Sequence, residues 1–222
     1  MHQISNNVYA HDDLLGWDIP TKRLPNPYHD FPYMLIKGVL SADECHSITS
    51  SVLDTQNSTA ASLRGGDVNS NIRKTAIYTL SLEQHVLYQS RFDALRSEIE
   101  HFFSLILTRS TDVQVLGYEE GAFYVKHSDD SSELRSRDGD TIGYVSVAPE
   151  RKLSTVLFAN DSYEGGELVF NYLYDENKEM IRLKPDAGDM IVFLSNPYFA
   201  HEVLPVTKGF RLSLVSWHDA LI

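Results

Sequence analysis

Val113-Gln114-Val115-Leu116-Gly117-Tyr118, then Glu119-Glu120-Gly121, then Ala122-Phe123-Tyr124-Val125-Lys126-His127-Ser128-Asp129, decides how the second half of this chain is read. Two β-rich runs flank a polar, glycine-bearing turn. The pattern continues through Thr141–Val147, Ser154–Ala159, Glu167–Phe170, Met180–Leu183, Asp189–Leu194, Glu202–Val206 and Phe210–Trp217. Turn signals stand between them: Glu164-Gly165-Gly166, Asp186-Ala187-Gly188 and Thr207-Lys208-Gly209. Many short strands with no helix-length pattern among them predict an antiparallel sandwich or barrel, not a parallel α/β sheet.

The first half differs. Residues 1–32 are polar and broken by Pro20, Pro25, Pro27 and Pro32, which predicts an irregular N-terminal extension packed on the domain. Tyr33–Val39 reads as a strand. Ser41-Ala42-Asp43-Glu44 has the capping-box form and opens a helix to about Leu53. Residues 55–71 read as a loop, Arg73–Leu80 as a strand and residues 82–108 as a helix. In that helix Val86, Leu87, Phe92, Leu95, Ile99, Phe102, Phe103 and Ile106 form a core stripe. The expected fold is mainly β (α+β): a jelly roll in the C-terminal half backed by helices from the N-terminal half. One domain is expected over residues 33–222.

The chain has 222 residues, 42% hydrophobic and 11% aromatic, which is enough to bury a sizeable core. Its net charge is −12. An acidic chain lacks the electrostatic footprint for a phosphate backbone or an anionic membrane, so neither nucleic acid nor membrane is an expected partner. Residues 119–189 hold 16 acids against 8 bases, whereas residues 190–222 hold 2 of each. The start shows no basic n-region and no apolar run, so no signal peptide is expected, and Cys45 stands alone, which excludes an internal disulfide and cysteine-rich metal sites. A reducing, cytoplasmic setting is expected.

In His127-Ser128-Asp129, strand alternation puts an imidazole and a carboxylate on one face. His201, before a distant β run, is the best third ligand. Two His and one carboxylate suit a non-haem Fe(II) site with open positions. Ten residues on, Arg211 sits among apolar neighbours, and Ser213 shares its face. An unpaired buried Arg is costly, so either an anionic ligand or an internal salt bridge should satisfy it. Tyr118 and Tyr124 lead into the His127 strand. Each could hydrogen-bond a ligand carboxylate or serve as a core aromatic.

These segments, together with Arg151–Phe158, Glu164–Phe170, Lys184–Asp189 and His201–Arg211, resemble the Fe(II)/2-oxoglutarate-dependent dioxygenases. The branch they are similar to is that of prolyl 4-hydroxylases and PKHD-type hydroxylases. The resemblance runs from about residue 33 to the end. It implies a double-stranded β-helix, with His127, Asp129 and His201 as Fe(II) ligands. It implies that Arg211 holds the distal carboxylate of 2-oxoglutarate, with Ser213 and Tyr118 or Tyr124 assisting. Fe(II), 2-oxoglutarate and O2 follow as cofactors, with ascorbate as a stimulant, and succinate and CO2 as products. Asp129 favours hydroxylation over halogenation, because halogenating relatives carry a small residue there.

Two other classes fit the pattern less well. A cupin-like metalloenzyme leaves Arg211 unexplained, and a non-catalytic jelly-roll module predicts a missing ligand. Asp130 could orient His127 or a water near the metal, but is expected as a solvated loop acid. His2, His11, His29, His46, His85, His101 and His218 read as packing or surface residues, and Cys45 as a small buried hydrophobe. Ser128–Thr141 is expected to be a lid loop over the substrate, with residues 55–71 a second candidate. The substrate is expected to be an amino acid, a prolyl peptide or a small metabolite. The acidic middle of the chain favours a neutral or cationic one.

Overall fold

The structure is a computed structural model that describes residues 1–19, 21, 23–58 and 74–221. Its strands are β1 (His2–Gln3), β2 (Tyr9–Ala10), β3 (Met34–Ile36), β4 (Ala76–Tyr78), β5 (Ile106–Ser110), β6 (Gln114–Tyr118), β7 (Tyr124–His127), β8 (Ser131–Arg135) and β9 (Thr141–Ser146). They continue as β10 (Arg151–Phe158), β11 (Tyr163–Gly165), β12 (Leu168–Tyr174), β13 (Met180–Leu183), β14 (Met190–Leu194), β15 (His201–Val203), β16 (Val206–Gly209) and β17 (Arg211–Leu221). The helices are the single turn α1 (Asp13–Gly16), α2 (Ala42–Ser58) and α3 (Leu82–Phe103).

The major sheet runs β3-β14-β10-β17-β6-β4, with β5 extending along the second half of β17. The minor sheet runs β1-β2-β12-β15-β7, with β13 on β12. Every ladder between these strands is antiparallel. The two inner faces meet on a dry aromatic seam. Phe170 of β12 contacts Phe193 of β14 at 5.2 Å and Phe199 at 5.5 Å, centroid to centroid. All three rings are essentially fully buried, each worth about 1.5–3 kcal/mol relative to exposure. This is the expected double-stranded β-helix.

The helices back the major sheet. Tyr88 of α3 places its hydroxyl 3.3 Å from that of Thr155 on β10, and Thr49 of α2 donates to the Ala159 carbonyl. Both capping boxes are formed. Glu44 accepts from the Ser41 N–H, and Gln84 does the same for Ser81 at the start of α3. The turn at Gly165 needs glycine: φ is +71°, and a Cβ would stand 2.4 Å from the Pro205 carbonyl oxygen.

Several local expectations need correction. The second helix stops at Phe103, because Ser104 turns left-handed and caps it, and residues 106–110 then form β5. Ile106 and Val86 are exposed instead of joining the core stripe. Helix α2 runs past Leu53 to Ser58. The rest of the 55–71 segment lies outside the described residues. The N-terminal extension is not simply irregular: β2 pairs with β12, and Val8, Ala10 and Leu14 are buried. Ser128–Thr141 is not a loop, since β8 and β9 pair through it as a hairpin.

Candidate metal centre and oxo-acid pocket

Pairing register builds the site. His201 on β15 lies directly opposite His127 on β7, so the two imidazoles emerge side by side with centroids 4.3 Å apart. The chain then turns, and the Asp129 carboxylate comes back 3.6 Å from His127 Nε2. The candidate ligand atoms of His127, Asp129 and His201 all lie within 4.8 Å of one another. Each imidazole Nδ1 sits 2.9 Å from a backbone carbonyl two residues earlier, Val125 for His127 and Phe199 for His201. A carbonyl only accepts, so Nδ1 carries the proton and Nε2 keeps its lone pair. Two imidazole nitrogens and one carboxylate oxygen are the donor set that suits Fe(II), and carbonyl-anchored rings are how such ligands are held. The residues present fit the ion.

Asp129 is oriented from behind. The Ser154 hydroxyl on β10 donates to its Oδ2 at 2.5 Å, and Ser195 stands 2.8 Å from Ser154. Burial would push the Asp129 carboxyl up, but the neighbouring His201 and His127 and the Ser154 hydroxyl outweigh it and hold it below its ordinary value. Asp130, expected as a solvated acid, is buried. Burial pushes its carboxyl up to about 6 even though Ser131 and Ser128 both donate to it.

A narrow cavity leads from this cluster between the sheets to Arg211, and Ser213, Tyr118, Tyr124 and Trp217 line it as well. Arg211 pairs with Tyr118 across β17 and β6, and its guanidinium lies 4.8 Å over the Tyr118 ring and 5.0 Å over Phe158. One nitrogen, Nη1, donates to Ser213 at 3.0 Å. Nε and Nη2 are buried with no hydrogen-bond partner among the described residues. No carboxylate among the described residues pairs with Arg211, so the internal salt bridge left open by the sequence is not what satisfies it. A buried fork with two unmet donors aimed along a cavity fits an anionic ligand. Tyr124 lies flat on His127, with centroids 3.8 Å apart and the planes 13° from parallel. All seven expected site residues therefore converge on one cavity or its mouth.

On the other side of the cluster a cleft of about 390 Å³ opens to solvent, lined by Lys126, Glu133, Tyr144, Arg151 and Trp217 among others. These walls were not singled out in the sequence, and neither was Ser154. Ser154 had one usable signal: a hydroxyl in the otherwise apolar run Leu153–Phe158 needs a partner. His218 is buried and stacked on Phe92 at 4.3 Å, held between Ser110 and Thr155 on the helix side of the major sheet.

A jelly roll with a His-Asp-His cluster at one end of an inner cavity and a buried, unmatched Arg at the other defines a class of metal- and oxo-acid-binding proteins. Residues 113–219 match the model of the 2OG-Fe(II) oxygenase superfamily. A PKHD-type hydroxylase of Cupriavidus pinatubonensis is 34% identical over 107 residues, 47% of this chain and 41% of the relative. The PKHD-type hydroxylase YbiX of Escherichia coli is 28% identical over 165 residues, 72% of this chain and 64% of the relative. The chain thus spans between two fifths and just under two thirds of these relatives' lengths. The crystal structure of a Pseudomonas putida prolyl-4-hydroxylase is 27% identical, with a TM-score of 0.60, covering 84% of this chain and 91% of that one. A Trichoplax adhaerens prolyl hydroxylase, solved with a hypoxia inducible factor peptide fragment, shares the fold at 20% identity and a TM-score of 0.62, covering 84% and 83%. Over residues 113–219 the chain is similar to the 2OG-Fe(II) oxygenase superfamily, and over most of its length it is similar to PKHD-type hydroxylases and to a prolyl-4-hydroxylase.

Proposed function

We propose that this chain hydroxylates an unactivated C–H bond of an amino acid, a prolyl peptide or a small metabolite, using Fe(II), 2-oxoglutarate and O2. The observation that carries the proposal is the buried Arg211 fork, with two donors unmet, at the far end of the cavity that begins at His127, Asp129 and His201. Held by His127, Asp129 and His201, Fe(II) would supply O2 activation coupled to decarboxylation of the oxo acid, with one oxygen atom ending in succinate and the other in the hydroxylated substrate.

The chain's own residues have distinct tasks. His127 and His201 offer Nε2, and Asp129 offers Oδ1 while Ser154 fixes Oδ2. Arg211 and Ser213 take the distal carboxylate of 2-oxoglutarate, with Tyr118 walling the guanidinium. Leu116, Val156, Leu168, Val203 and Val215 give the cavity apolar walls. Substrate enters from the cleft beside Tyr144, Arg151 and Trp217. Residues 33–222 form the catalytic unit, with residues 1–32 folded onto it. No helix among the described residues is long and apolar enough to cross a membrane, and the lone buried Cys45 is consistent with work in a reducing cytoplasm.

Anaerobic addition of 2-oxoglutarate to the Fe(II) protein should give a weak visible charge-transfer band, and aerobic incubation should release succinate across a panel of amino acids and Pro-containing peptides. Retention of band and succinate in His127→Ala or His201→Ala would refute the ligand assignment.

A further inference from the structure

The N-terminal segment is attached both to β12 of the minor sheet and to the hairpin that borders the substrate cleft. Its strand β2 pairs with the end of β12, and the His11 N–H donates to the Tyr172 carbonyl at 2.9 Å. A few residues on, Asp18 bridges Gly143 of the hairpin in parallel, and its carbonyl accepts from the Tyr144 N–H. Between these two attachments Trp17 wedges its indole edge-on against Tyr172 at 5.3 Å and tilted against Tyr144 at 5.9 Å. Tyr144 and Tyr172 are joined by their hydroxyls at 3.1 Å. The Lys126 ammonium donates to Tyr172 at 2.7 Å and pairs with Glu133 of β8 at 2.7 Å. Tyr144, Lys126 and Glu133 all line the cleft, and Lys126 is the residue before His127.

A two-stranded hairpin on its own is marginal in water. This one borders the candidate metal centre, and β8 and β9 pair with each other rather than with either sheet. Its inner side is held by Tyr144, and the group that clamps Tyr144 from outside both sheets is Trp17. Taken on the cleft assignment made above, we propose that Trp17 is a positioning residue: the N-terminal strap fixes the hairpin as a preformed wall of the substrate cleft. Trp17 touches no reacting group. It acts through Tyr144 and the Tyr172–Lys126–Glu133 chain. The hairpin thereby enters binding already ordered, and substrate affinity is not reduced by the ordering of its wall.

The test uses the full chain as the anaerobic Fe(II)/2-oxoglutarate complex, comparing wild type with Trp17→Leu, Trp17→Phe and Tyr144→Phe. Hydrogen exchange should speed up about tenfold at the amides of residues 131–146 in Trp17→Leu, while the core strands stay protected. The charge-transfer band and the half-saturating 2-oxoglutarate should stay within about twofold of wild type, whereas KM for whichever substrate the panel yields should rise about tenfold with kcat far less changed. Trp17→Phe should restore most of both effects. Tyr144→Phe, which keeps the packing and loses only the hydroxyl contact, should loosen the hairpin by a smaller factor even if Trp17→Leu does not fold. Unchanged hairpin protection in the folded variants, or faster exchange throughout the chain instead of at the hairpin, would overturn the proposal. A wild type without band or succinate would sink the oxygenase reading, while the exchange result would still judge the strap.

Discussion

Replacing Arg211 by Met separates two effects that are opposite in sign. Arg211 is 1% exposed, and its Nε and Nη2 make no hydrogen bond of normal geometry among the described residues, with the equally unmatched Tyr163 hydroxyl beside them. Among the described residues this buried cation is held by Ser213 and two aromatic faces, with the Tyr163 hydroxyl as a neighbour. Met fills similar space without charge, so the ligand-free variant should melt at or above the wild-type temperature, since replacing a poorly matched buried charge by an apolar side chain is often neutral or stabilising by ~1–4 kcal/mol. With 2-oxoglutarate the balance reverses. Two charge-assisted bonds at about 1.5–3 kcal/mol each amount to roughly 3–6 kcal/mol. At about 1.4 kcal/mol per decade, the variant should bind 2-oxoglutarate roughly a hundred- to ten-thousand-fold more weakly. The assay is an anaerobic titration of the visible band, beside thermal melts with and without oxo acid and a direct iron measurement. Iron content should hold and the oxo-acid gain in melting temperature should vanish. A Met variant that bound 2-oxoglutarate within threefold of wild type would refute the assignment of the unmet donors.

Two further outcomes follow from neighbouring contacts. Ser154→Ala removes the hydroxyl that holds Asp129 Oδ2, and Fe(II) affinity by equilibrium dialysis should fall about 10–100-fold, with little change in half-saturating oxo acid at saturating iron. His218 offers a pH test remote from the metal: burial, and then the nearby positive Arg96, lower its imidazole from 6.5 to about 3. Because the folded-state value is depressed, the neutral form stabilises the fold above pH 6.5, and this contribution is lost as pH falls towards 3. Between pH 7 and pH 5 the loss should be about 2 kcal/mol by denaturant unfolding, and His218→Gln should remove most of that slope.

The double-stranded β-helix was legible because strands bounded by glycine turns announce themselves one by one, and because His127, Asp129, His201 and Arg211 keep order and spacing across separate strands. Less local features were not legible. The first strand and the tip of the β8–β9 hairpin carry Ser, Arg and Asp, so Ser128–Thr141 reads as a loop although Thr141–Val147 reads as a strand; what joins the two is cross-strand pairing plus a clamp from Trp17, more than a hundred residues earlier. Asp130 looked solvated because a single carboxylate in a polar run gives no sign that Ser128, Ser131 and the Ser195 carbonyl will enclose its residue. Helix α3 was extended too far because Leu105, Ile106 and Leu107 continue an apolar pattern that only the left-handed Ser104 interrupts.

Charge also has to be relocated. The excess acid between residues 119 and 189 suggested a negative rim around the metal, but much of it is committed elsewhere. Asp189 takes Lys37 and the Gly38 N–H, Asp175 closes its own turn through the Asn177 and Glu179 N–H groups, and Glu120 accepts from Gly209. At the cleft itself Glu133 is matched by Lys126 and Arg135. Asp129 points to the candidate metal position. Arg151 lies 4.5 Å over the Trp217 ring, and its one hydrogen bond here runs to the Asp129 backbone carbonyl, not to a carboxylate. The charges at the cleft are therefore Asp129, Arg151 on its aromatic shelf, and Glu133 with its two basic partners, and the chain's net charge of −12 is a poor guide to them. A cationic side chain therefore stands in the wall of this cleft despite the acidic balance of the chain.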